Sequence, residues 1–156
     1  MKNHLLAALA LSFVLFSCQP EGRVYSDHKE LSPELEWLQK DKREFQVPIE
    51  DADTNYDLSL SFRYATGFPH KTLNVKVTEI SPSGSEQVKE YKLQVRDDKG
   101  GYIGDPGLDI WDSEHLVDEN ISYDEKGTYT YVIEHIMPQD PVNYAMEIGL
   151  IIDKAK

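Results

Sequence analysis

Apolar side chains recur at every second position along most of the chain, and this period limits the possible folds more than any other feature. Successive side chains of a strand point to opposite faces of a sheet, so the alternation predicts half-buried β-strands. The alternating sets are Phe45, Val47 and Ile49; Leu58, Leu60, Phe62 and Tyr64; Leu73, Val75 and Val77; Tyr91, Leu93 and Val95; Tyr129, Tyr131 and Ile133; and Met146, Ile148, Leu150 and Ile152. Beyond residue 18 no long segment has a helical period, which predicts an all-β fold, an antiparallel β-sandwich of either jelly-roll or immunoglobulin-like topology.

Local features refine the predicted strand arrangement. Residues 81–85, Ser-Pro-Ser-Gly-Ser, predict a turn that joins the strands on either side as a hairpin. Ile151 gives the last strand an apolar residue on its second face, which indicates a central strand. Residues 32–38 begin with a serine cap and a proline and predict a short helix, whereas residues 96–120 predict a long irregular connection.

The N-terminus predicts export and covalent anchoring. A short positive start precedes residues 5–16, in which only Ser12 is polar, and this pattern is typical of a signal peptide. Twelve helical residues span roughly 18 Å, too little to cross a hydrocarbon layer of about 30 Å. Ser17 and Cys18 then follow, and the sequence resembles the lipobox of bacterial lipoproteins, although Phe16 is bulkier than usual. We therefore expect a lipoprotein signal peptide at 1–17, lipidation of Cys18 with fatty acyl chains, a tether at 18–41 and a β-sandwich domain at 42–156.

Composition excludes several classes of partner. The chain has 28 acidic against 16 basic residues and a formal net charge of −12, so nucleic acid and anionic lipid would be repelled. Membrane attachment must then come from the lipid anchor. Gln19 follows the modified cysteine in place of the aspartate that favours inner-membrane retention, so we expect a cell-envelope protein at the outer membrane rather than the inner one.

No arrangement of reactive residues predicts an enzyme or a cofactor. Cys18 is the single cysteine, which excludes an internal disulfide and a multi-cysteine zinc site. The chain has no G-x-S-x-G motif, and the histidines beyond residue 18 lack metal-binding spacing: His28, His70, His115 and His135. An acidic segment could hold Ca²⁺, but aspartates and glycines are also common in ordinary turns: Asp97, Asp98, Asp105, Asp109 and Asp112. We predict no metal, and nothing selects a catalytic pair of carboxylates.

Two aromatic residues lie in the segment predicted to be irregular. Tyr102 and Trp111 are candidates for a surface that binds a protein partner or stacks on a glycan, because flat rings serve both purposes when they are exposed. The alternative is that both rings simply fill half-buried positions. A surface glycan-binding module is accordingly the second functional hypothesis.

Several short motifs, taken in order, resemble the GldH family of gliding-motility lipoproteins. Residues 127–137, GTYTYVIEHIM, are similar to the family's G-x-Y-x-F-x-I-E-x-x-M strand, and residues 148–152 are similar to its closing I-G-L-x-I. Residues 101–104 resemble a G-x-W-x-G segment in which Tyr102 replaces the usual Trp, and Pro138 stands where an Arg is usual. The resemblance implies a non-enzymatic envelope protein that supports the gliding machinery and its associated protein secretion, with Cys18 as the functional position and other envelope proteins as partners.

Overall fold

The computed structural model describes residues 21–156, and the strands within that range build two packed antiparallel sheets. The strands are β1 Arg23–Glu30, β2 Glu36–Trp37, β3 Arg43–Ile49, β4 Tyr56–Ala65, β5 Thr72–Ile80, β6 Glu86–Gln94, β7 Asp105–Pro106, β8 Ile110–Ile121, β9 Gly127–His135, β10 Val142–Asn143 and β11 Ala145–Lys154. One sheet has the order β1-β11-β4-β8-β7 and the other the order β3-β9-β5-β6, while β10 and β2 form a small two-stranded sheet. The predicted all-β antiparallel sandwich is confirmed.

The core lies between the two sheets and contains the alternating side chains that the sequence predicted. Phe45, Leu60, Ile133 and Leu150 are fully buried, and Tyr91 and Met146 are the members of the predicted sets that remain half-buried. Each fully buried aliphatic or aromatic side chain contributes about 1.5–3 kcal/mol relative to its exposed state. Period-two burial of this kind fixes the register of the strands that show it, since a slip by one residue would turn their apolar side chains toward water.

Two finer predictions about the strands are confirmed. Strands β5 and β6 form a hairpin, closed by a hydrogen bond from Ser81 N to Ser85 O of 2.9 Å. Gly84 in that turn has a φ of 91°, a conformation that costs glycine little. Strand β11 is central, between β1 and β4, and Ile151 on its second face is 2% exposed.

The predicted helix at residues 32–38 is wrong. Ser32 accepts a hydrogen bond from Glu34 N at its hydroxyl, as a helix cap would, but Leu35 has a φ of 58°, which a right-handed helix excludes. Residues 36 and 37 form β2 instead, and Trp37 is fully buried. Burial of that indole in the core outweighs the local helix signal.

Two other segments are more regular than the sequence indicated. Arg23–Glu30, expected within the tether, forms β1 and pairs with β11, so the sandwich begins about twenty residues earlier than predicted. Ile110–Ile121, expected to be irregular, forms β8. Both strands lie at or beside a sheet edge, where polar and charged side chains are tolerated, and their sequences therefore lack the apolar alternation of central strands.

The protein should lose stability as the pH falls below about 6.5, because burial lowers the pKa of His135 despite the opposing charge of Asp140. Its Nδ1 accepts a hydrogen bond from Met137 N at 3.3 Å, and its ring is 0% exposed. Since the folded pKa lies below that of the unfolded chain, the unfolded state takes up more protons and is stabilised relative to the folded state in acid. We expect the melting temperature to fall between pH 7.5 and pH 5.5.

The matched variants for this measurement are His135→Gln and His115→Gln, since burial also lowers the pKa of His115. Each variant should show a smaller drop in melting temperature over the same pH interval than the wild-type protein. An unchanged drop in both variants would show that other groups cause the acid sensitivity.

Candidate functional site

The two ends of the five-stranded sheet differ in structure. At one end, Lys154 N donates to Gly22 O at 2.8 Å, Lys154 pairs with Tyr56, and Tyr56 pairs with Ile121. This proximal end, defined by Gly22, Tyr56, Ile121 and Lys154, is where the chain enters its first strand. At the other end, Ala65 pairs with Ile110. Strand β4 has 10 residues, so the two ends are roughly 30 Å apart.

A tight hairpin forms most of this second, distal end. Strands β7 and β8 pair through Asp105 and Pro106, and Gly107 N donates to Ile110 O at 2.8 Å, which leaves Leu108 and Asp109 at the turn. Asp109 has a φ of 63°, which aspartate tolerates better than most residues. Leu108 is 95% exposed. The hairpin therefore presents an aliphatic side chain at its outermost point. We call the three residues Gly107, Leu108 and Asp109 the distal tip.

Hydrogen bonds hold the distal tip against the turn that follows β4. Thr66 N donates to Asp109 O at 2.9 Å, and Trp111 Nε1 donates to the Thr66 hydroxyl at 3.2 Å. Tyr144 packs its ring on Gly67, where an added Cβ would lie 3.3 Å from the ring, and Tyr144 itself is 43% exposed. The tip and the Tyr144 ring thus border the same two-residue turn.

Tyr102 and Trp111, predicted as candidate site residues, are brought together in this region. Their ring centroids are 5.2 Å apart, and both side chains are half-buried against the core. The Arg96 guanidinium lies 4.0 Å from the centroid of the Tyr102 ring. The Tyr102 hydroxyl accepts hydrogen bonds from Gly67 N at 2.6 Å and from Arg96 at 3.0 Å. The two rings therefore support the turn beneath the tip, and little of the Tyr102 ring remains for a ligand.

Acidic side chains outnumber basic ones around the distal tip. Arg63 bonds Asp112 at 2.6 Å and Glu147 at 2.9 Å, and its pKa is raised, chiefly by the hydrogen bond to Asp112. Asp105 and Asp109 are exposed and form no ion pair with any residue between 21 and 156. Arg63 is thus occupied by two carboxylates, and Arg96 lies against the Tyr102 ring.

The other candidates from the sequence do not converge on a site. Asp97 accepts hydrogen bonds from Lys99 N and Gly101 N within its own turn, which is the ordinary structural use of such a residue. In the part of the chain that the structure describes, no three His, Cys, Asp or Glu side chains are grouped to hold a metal ion. No helix within residues 21–156 is long and apolar enough to cross a membrane. Cys18 lies outside the described residues.

Sequence reasoning missed the exposed residues of this end, Leu108 and Tyr144. A signal for Leu108 was available, because residues 106–109 read Pro-Gly-Leu-Asp and an aliphatic residue is unusual within such a turn. No comparable signal marks Tyr144. Tyr144 has a backbone φ of 64° and contacts Gly67, which lies far away in the sequence.

Tyr102→Phe should reduce the free energy of unfolding by about 1 kcal/mol, because the ring stays while the acceptor for Gly67 N and Arg96 is removed. Urea titration followed by circular dichroism measures this change. Tyr144→Phe is the matched control, since that hydroxyl forms no hydrogen bond within the described chain and its loss should change stability little. Equal effects of the two substitutions would contradict a supporting role for the Tyr102 hydroxyl.

Comparison with known proteins gives a family match, a curated relative and a weak structural likeness. The model of the GldH lipoprotein family matches residues 23–152. Gliding motility lipoprotein GldH of Flavobacterium johnsoniae is 27% identical over 129 residues, which cover 83% of this chain and 77% of that protein. A family GH115 4-O-methyl-α-glucuronidase with specificity for decorated arabinogalactans aligns with a TM-score of 0.45 and 10% identity, over 86% of this chain and 18% of the enzyme.

Proposed function

The chain belongs to the GldH lipoprotein family, and on that premise we propose that it is a non-enzymatic, lipid-anchored envelope protein that supports the gliding machinery and its associated protein secretion. The observation that carries the proposal is the extent of the family match. Residues 23–152 run from the first residue of β1 into β11, so the similarity includes the whole sandwich rather than one short motif.

The proposed anchor is Cys18, modified with fatty acyl chains after removal of residues 1–17. A single acyl chain binds membranes only weakly, whereas two or three chains at about 0.8 kcal/mol per buried CH₂ make release negligible. Five Cα steps separate Cys18 from Arg23, and an extended chain covers at most about 18 Å over that interval. The lipid would therefore keep the proximal end of the sandwich close to the bilayer, and we propose the outer membrane on the basis of Gln19.

Anchoring also explains how a non-enzymatic protein can act. Confinement to a surface raises the effective concentration of the sandwich beside other envelope proteins, so that weak contacts suffice for assembly. The charge of −12 disfavours nucleic acid and anionic lipid headgroups as alternatives. We therefore propose protein partners within the envelope.

Deletion of the gene in the source bacterium tests this proposal. We expect loss of surface movement and reduced export of proteins through the associated secretion route, both restored by a plasmid copy of the gene. Normal movement and normal secretion in the deletion strain would refute the proposed function. Cross-linking in native membranes, followed by mass spectrometry, should then identify the envelope proteins that lie beside the sandwich.

The glycan-binding alternative receives less support from the site. Stacking on a sugar needs an open ring face, and the Tyr102 ring already contacts Arg96 and Trp111. A glycan array with the leaderless protein separates the two hypotheses. Saturable binding that Trp111→Ala abolishes would favour the glycan module over the machinery component.

A further inference from the structure

We propose that the distal tip is the docking point for a partner envelope protein, which receives Leu108 in an apolar pocket rimmed by basic side chains. The inference rests on the proposed function, because it names the surface through which an anchored sandwich would act. Three independent observations support it: the exposure of Leu108, the rigid support of the hairpin, and the negative charge beside it.

Leu108 differs from the other exposed apolar residues of the described chain. Val88 and Leu116 are 55% and 54% exposed within strands, and scattered residues of that kind are normal on protein surfaces. Leu108 is 95% exposed at the outermost point of a turn, a place where polar residues prevail. The apolar surface of a side chain in this position is removed from water only when another molecule covers it.

The hairpin is held in shape before any partner arrives. Adding a Cβ at Gly107 would place it 2.6 Å from the Ile110 side chain, and a Cβ at Gly104 would lie 2.3 Å from the Asp112 carbonyl oxygen. The bond from Thr66 N to Asp109 O ties the turn to the body of the sandwich. A rigid tip loses little conformational entropy on binding, which strengthens association without additional contacts.

Charge decides the class of partner. Asp109 directly follows Leu108, Asp105 precedes it by three residues, and neither forms an ion pair among residues 21–156, so the tip would repel an anionic lipid surface. A protein pocket rimmed by Lys or Arg would attract it and speed the encounter. The tip also lies at the end of the sheet opposite Gly22, roughly 30 Å away along the ten residues of β4, and so faces away from the proposed anchor.

Site-specific photo-cross-linking in living cells tests the inference with the full-length lipoprotein. A photoreactive amino acid replaces Leu108 in one strain, and Val88 or Leu116 in two matched control strains. We expect one protein adduct at position 108, at a yield at least tenfold above that at either control position. The partner peptide identified by mass spectrometry should combine apolar residues with Lys or Arg.

Two further variants test the charge and the apolar side chain of the distal tip separately. Asp105→Asn with Asp109→Asn should lower the adduct yield severalfold while preserving the turn, because asparagine also tolerates a positive φ. Leu108→Asp in the otherwise unlabelled protein should impair movement and secretion while leaving the melting temperature unchanged, and Leu116→Asp should leave both functions intact. Unchanged movement and secretion in Leu108→Asp would overturn the inference.

The remaining outcomes are also decisive. An adduct with a second copy of this chain, or with lipid, would overturn the inference, as would adducts at positions 88 or 116 without one at 108. Failure of the proposed function is distinguishable from these results, because the deletion strain would then move and secrete normally whichever positions form adducts.

Discussion

Replacing residues 1–18 with a conventional cleavable signal peptide that leaves alanine in place of Cys18 is expected to shift the protein from the membrane fraction to the soluble envelope fraction. The chain would keep its sandwich, because the described strands begin at Arg23, but it would lose every acyl chain. Two or three such chains, at about 0.8 kcal/mol per buried CH₂, hold a protein on a membrane essentially permanently. Cell fractionation followed by immunoblotting measures the redistribution, and movement of the cells should be lost with it.

Intact mass is the complementary measurement for the same pair of strains. The wild-type protein should carry the added mass of its acyl chains and lack residues 1–17, whereas the alanine variant should have the mass of the bare polypeptide. A conservative control, Ser17→Ala, keeps a small residue before the cysteine and should stay in the membrane fraction. A soluble variant that restores movement would contradict a role for the anchor.

Trp37→Ala is expected to have the largest effect on stability, a loss of about 3–5 kcal/mol in the free energy of unfolding. The indole is 0% exposed, its Nε1 donates to Asp41 O at 2.8 Å, and its ring meets His135 edge to face at 5.3 Å. Strand β2 is two residues long and, among the described strands, pairs with β10 alone, so the indole contributes more than the strand ladder to holding this segment. A typical domain is stable by 5–15 kcal/mol, and such a loss leaves it marginal.

Urea titration followed by far-ultraviolet circular dichroism measures the loss without depending on indole fluorescence. Trp37→Phe should cost less, since it keeps much of the apolar area and removes the hydrogen bond to Asp41. Trp111→Phe is the matched control, because Trp111 is half-buried and its substitute can still pack on Tyr102. Comparable losses for Trp37→Ala and Trp111→Phe would refute the special role of Trp37.

The sequence predicted the parts of the fold that apolar periodicity controls. Residues such as Leu60 and Val75 alternate with polar neighbours because one face of their strand meets the core and the other meets water. Gly84 and its serine neighbours marked the one hairpin that was predicted. These are local signals, and each operates within a single strand or turn.

Strands whose partners lie elsewhere in the sequence were harder to predict. Strand β1 contains no buried residue and forms by pairing with β11, more than a hundred residues away. The polar sequence of β8 is likewise stabilised by its ladder with β4. The site follows the same rule: Tyr102 and Trp111 could be singled out as aromatics in one segment, but their contact with Thr66 and Gly67 depends on that long-range pairing.

The pairing of β1 with β11 sets the order in which the protein can fold. Strand β1 finds its partner only when β11, which ends at Lys154, has been synthesised. The five-stranded sheet therefore stays incomplete until β11 is available to pair with β1. Folds dominated by such distant contacts complete slowly, in milliseconds to seconds. Closure of the sandwich is thus a late step in folding.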